Sequence, residues 1–166
     1  SVASRPLPST FAGRLDGTFS YFASGRVDLT GTNSTFKNGF TVFGLNAART
    51  AGLTGLMKLG ERDGASSLGK NTTIQLGSGN DGSGGILYLG KGECTTKNVS
   101  LAAATGQPML IDAGPYGGVH FAGNISMLYE KMMPLVLTGS NTVDACVISN
   151  SIAKKGSCTV CPIKQG

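Results

Sequence analysis

Twelve short apolar runs divide the chain, at residues 18–22, 26–30, 40–45, 53–59, 72–76, 86–89, 99–102, 109–112, 119–122, 125–129, 135–138 and 143–149, with Gly, Asn, Asp or Pro between each and the next. Runs of four to seven residues are too short for buried helices, which need about 10–12. Their recurrence every 8 to 12 residues or so is the rhythm of an all-β sandwich or barrel. The pattern predicts an antiparallel β-sandwich or barrel of many short strands and Gly-rich turns, with little helix.

Period-two alternation supports this. Val27 and Leu29, Val99 and Leu101, Val119 and Phe121, and Leu135 and Leu137 each flank one residue, so one face of each strand is dry and the other wet. Helical periodicity is weak and confined to 44–59 and 126–133, both interrupted or short. At 166 residues the chain has the length of one domain. Residues 1–10, with Pro6 and Pro8, read as an extended arm, and 11–166 as one β domain with a stapled tail.

Charged residues are only 14%, against roughly 25% in soluble domains. The wet faces must therefore be built from Ser, Thr, Asn and Gly, as in extracellular β proteins. The net charge of +5 is spread along the chain with no basic run interleaved with aromatics, which argues against a nucleic-acid partner. No apolar run approaches the 18 residues or so of a membrane-spanning helix. The opening SVASRPLPSTF has no apolar signal core, as expected of a cytosolic chain or of one whose leader has been removed.

The segment 71–92 contains Gly77-Ser-Gly79-Asn-Asp-Gly82, which matches a dinucleotide-binding G-x-G-x-x-G. Such a loop must open a helix, whose N-terminal N–H groups hold the pyrophosphate. Here Gly82-Ser-Gly-Gly85 leads into Ile86-Leu-Tyr-Leu89, with no helical period, and no acidic residue lies about 20 residues on. The match is accidental, and no cofactor is expected. Strand, turn at Asn80-Asp81-Gly82, strand is the reading, a β-hairpin.

Four cysteines, Cys94, Cys146, Cys158 and Cys161, allow three pairings. The favoured arrangement pairs Cys158 and Cys161 each with Cys94 or Cys146, stapling the tail to the sheet; a Cys158–Cys161 bridge would leave Cys94 with Cys146. A redox C-x-x-C needs a following helix, and zinc needs a second close ligand pair; neither pattern is present. Sequons stand at Asn33, Asn71, Asn98 and Asn124. Cysteines and sequons together point to a secreted glycoprotein.

Catalytic chemistry is thin. His120 is the sole histidine and, between Val119 and Phe121, falls on the wet face if those two are core. It could join Asp112 and a serine in a triad, yet no G-x-S-x-G elbow accompanies it. The acidic pairs Asp16/Asp28 and Glu61/Asp63 lack aromatic sugar platforms nearby, and Trp is absent. One histidine does not make a copper site, and Asp81 alone is a turn former before it is a calcium ligand. No catalytic residue and no metal site are assigned.

Leu87-Tyr88-Leu89, Gln107 to Asp112 and the Gly-rich turn Gly114 to Gly118 resemble segments of small secreted fungal cell-wall proteins of conidium-bearing cells. About a third of the chain is covered, and the cysteine spacing departs from that group. The resemblance implies a non-catalytic wall or surface protein and carries over no functional residue. The expected function is a secreted, N-glycosylated structural component of a wall, coat or extracellular assembly, with extracellular glycans or copies of itself as partners. The alternative is a carbohydrate-binding module or lectin using Tyr88, Tyr116 and His120, and the third a secreted hydrolase using His120.

Overall fold

The computed structural model describes residues 9–18, 21–24, 27–31, 34–43, 51–53, 68–69, 72–79, 84–88, 90, 92–103, 109–113, 119–129, 133–139, 147–149, 152–153 and 160–164. These contain sixteen strands and no helix: β1 (Ser9–Phe11), β2 (Tyr21–Ser24), β3 (Val27–Leu29), β4 (Phe40–Phe43), β5 (Ala51–Leu53), β6 (Thr73–Gly79), β7 (Gly85–Tyr88), β8 (Glu93–Thr95), β9 (Asn98–Ala103), β10 (Met109–Asp112), β11 (Val119–Phe121), β12 (Ile125–Met127), β13 (Met133–Thr138), β14 (Val147–Ile148), β15 (Ile152–Ala153) and β16 (Val160–Lys164). The all-β expectation holds. Of the two weakly helical stretches, 44–59 contains β5, and 126–133 begins in β12 and ends in β13.

The antiparallel expectation does not hold. Three sheets form, ordered β1-β3-β5-β7-β10-β13-β16, β14-β11-β8 and β15-β12-β9-β6-β4-β2, and every ladder is parallel. The chain visits the sheets in rotation. From β7 onward each circuit passes the seven-stranded, the three-stranded and then the six-stranded sheet, so successive strands are never neighbours in one sheet. The architecture is a parallel β-solenoid, each circuit one coil. Gln75, Ser100, Ser126 and Ala153 stand in register on successive coils, steps of 25, 26 and 27 residues. The hairpin expected at 71–92 is corrected on the same ground: β6 lies in the six-stranded sheet and β7 in the seven-stranded one.

The core forms because the inward position of each strand stacks on the same position one coil away. Phe40, Ile74, Val99 and Ile125 make one such column, and Val42, Leu76, Leu101 and Met127 a second; seven of the eight are fully buried and Met127 is 4% exposed. Met109 on Leu135, and Ile86 on Ile111, line the seven-stranded sheet, while Val119 and Phe121 close the three-stranded one. Parallel sheets usually need helices to cover them. Here the three inner faces cover each other.

Tight corners join the sheets. Between β8 and β9 only Thr96 and Lys97 intervene, a length that would suit a hairpin in an antiparallel fold. On the next coil Gly123 takes the place of Lys97; a Cβ there would lie 2.2 Å from the Lys97 carbonyl oxygen, so only glycine lets the coils stack at normal spacing.

Candidate functional site

The outer face of the three-stranded sheet gathers most of the chemistry marked by the sequence. In β11, Val119 and Phe121 are buried and His120 between them is half-buried on the outer side. His120 pairs in register with Cys94 of β8, whose thiol is free and exposed, and with Val147 of β14. Ser149 follows β14, and its Oγ lies 2.7 Å from His120 Nε2. A thiol, an imidazole and a hydroxyl thus stand side by side on three coils, on a flat wall. Asp112, weighed as a partner for His120, belongs to the seven-stranded sheet.

The free thiol bears on the cysteine pairing. Cys94 lies on the coil that starts with β7, and Cys161 lies in β16, three strands further along the seven-stranded sheet. Three strand spacings are roughly 14 Å, twice the Cα separation of about 7 Å that a disulfide spans. A Cys94–Cys161 bridge is therefore incompatible with this stack. Cys146 and Cys158 lie outside the described residues.

Tyr88, expected as a ligand contact, is 1% exposed. Its ring turns inward at the end of β7, and its hydroxyl accepts the Gly92 N–H at 3.2 Å. Burial, then the nearby Glu93 carboxylate, pushes its pKa up. Tyr116, the other expected contact, lies outside the described residues. The exposed aromatic of this region is instead Tyr129, 39% exposed, next to Leu128 at 41%. Both close the apolar run 125–129, and their exposure follows from the end of β12 at Met127.

Asn33 and Asn71 also lie outside the described residues. Asn98 and Asn124 are both placed, at the start of β9 and just before β12. Asn98 is half-buried and its Oδ1 accepts the backbone N–H of Asn124 at 2.9 Å; Asn124 itself is exposed.

Two charged groups escaped the sequence reading. Lys97 is 2% exposed, and its Nζ donates to the Gly69 carbonyl oxygen at 3.2 Å; burial lowers its pKa from 10.5 to about 8. No local pattern marks an inward lysine. On the first coil Asp16 receives the Arg14 guanidinium at 2.6 Å and the Thr35 hydroxyl, and these contacts, Arg14 foremost, hold its carboxyl below the usual range. Arg14 and Asp16 are exposed, so this pair adds little to stability. No protein-family model, curated protein or solved structure matches the chain.

Proposed function

We propose that this chain is a secreted, N-glycosylated, non-catalytic structural or surface protein of a wall, coat or extracellular assembly. The observation that carries the reading is the row Thr41, Gln75, Ser100 and Ser126, in register on four successive coils between the inward columns of the six-stranded sheet. A stack of this kind repeats the same uncharged polar side of the wall at each coil, which suits contact with glycans or with copies of itself rather than enclosure of a substrate. The resemblance of 87–89 and 107–112 to fungal wall proteins agrees with this. Intact-mass analysis of the protein secreted from a eukaryotic host, before and after deglycosylation and reduction, tests it. A glycan mass and fewer than four free thiols are expected; four free thiols with no glycan would end the reading.

The exposed Tyr129 favours one second reading, a carbohydrate-binding module in which that ring, rather than Tyr88, stacks on a sugar. A glycan array separates the two. Specific binding that disappears in Tyr129→Ala would establish the binding module, and silence across the array would leave the structural role.

A further inference from the structure

Two of the four sequons occupy equivalent places on neighbouring coils. Asn98-Val-Ser100 opens β9, Asn124-Ile-Ser126 leads into β12, and Ser100 pairs with Ser126 in the parallel ladder. Their local sequences are nearly the same, a β-branched aliphatic followed by serine. Their surroundings differ. The Asn98 carboxamide oxygen accepts the Asn124 N–H at 2.9 Å, and the Val99 N–H donates to the Asn124 carbonyl at 2.8 Å. Both backbone groups of residue 124 are thus met from the previous coil, one of them by a side chain that is itself half-buried. The Asn124 side chain is exposed.

We infer that this pair of sequons carries a single N-glycan, on Asn124, and that Asn98 is a fixed part of the wall, unmodified in the folded protein. The inference rests on the secreted-glycoprotein reading above. An N-glycan is a bulky group that belongs on the surface. On Asn98 it would leave from a half-buried carboxamide held against the next coil. It would also crowd the Asn124 position, one strand spacing of about 4.8 Å away. Transfer of the sugar precedes folding, so both sequons meet the transferase as equals. The difference arises afterwards: chains modified at Asn98 close the β9–β12 ladder poorly and are retained.

Site occupancy decides the matter, read by peptide mass spectrometry after glycosidase release in heavy-oxygen water, on secreted and retained protein from a eukaryotic host. The secreted fraction should carry the label at Asn124 and not at Asn98. Asn124→Gln should lose one glycan mass. Asn98→Asp, which keeps the acceptor oxygen and destroys the sequon, should lose none and be secreted normally, whereas Asn98→Ala should be secreted less. Equal occupancy of Asn98 and Asn124 in secreted protein, or loss of a glycan in Asn98→Asp, would overturn the inference. Glycan at Asn33 or Asn71 with Asn124 bare would overturn it while sparing the secreted-glycoprotein reading. Absence of glycan from all four would remove both.

Discussion

Lys97 is the residue whose energetics the fold alters most. Its ammonium sits at the corner between β8 and β9, out of water, against the Gly69 carbonyl, and its pKa falls from 10.5 to about 8. Between those two values the unfolded chain binds a proton that the folded chain has released, so stability rises with pH across that window. The gain is complete above 10.5, and below about pH 8 the folded state bears the full cost of a buried cation. A shift of this size corresponds to roughly 3 kcal/mol at most. Lys97→Met leaves the Gly69 carbonyl without this donor at every pH, a constant offset, and removes the titration. Urea unfolding of both proteins at pH 7 and above 10.5 should show the parent gaining up to ~3 kcal/mol on the variant. Parallel pH dependences would show that Lys97 titrates alike in both states.

At the scale of the strand, the test of the fold is which residues touch across coils. Val99 and Ile125 lie 26 positions apart in sequence and in register on adjacent strands, both fully buried. Ile125→Ala should cost about 2–5 kcal/mol. Combined with Val99→Ala, it should show a coupling of about 0.5–3 kcal/mol, because each substitution relaxes the cavity left by the other. Strict additivity would mean that the two side chains are not stacked. Strand positions were legible in the sequence because alternation is local: all twelve apolar runs overlap or adjoin strands of the fold, and His120 lies outward between Val119 and Phe121. Partners were not legible, because a two-residue link such as Thr96-Lys97 reads as a hairpin turn and serves here as a corner. One trace of the true period was present. Asn98-Val-Ser-Leu101 and Asn124-Ile-Ser-Met127 repeat polar, β-branched, serine, apolar at a spacing of 26, the mark of a solenoid in which only the stacked positions need to agree. The other repeats are blurred by coil steps that vary from 25 to 27 and by connections of unequal length.

The whole molecule follows from that stacking. Each coil contacts only the coil before and the coil after it, so stability is close to a sum of coil terms and nearest-neighbour interfaces rather than the property of one central core. An interior coil has two such interfaces and a terminal coil one. In the seven-stranded sheet β7 and β10 are interior while β1 and β16 are edges; in the six-stranded sheet β6 and β9 are interior while β2 and β15 are edges. The free energy of opening should therefore climb from both ends toward the coils that hold β6, β7, β9 and β10. Native-state hydrogen exchange followed by mass spectrometry reads this directly, since amides in regions that open locally exchange at lower cost than those that require global unfolding. Peptides covering 73–79, 85–88, 98–103 and 109–112 should exchange slowest, and those covering 9–11, 21–24, 152–153 and 160–164 fastest, with the remaining strands graded between. A sandwich built around one shared core would instead release its central strands together, so a single exchange rate common to β1, β7, β9 and β16 would contradict the solenoid.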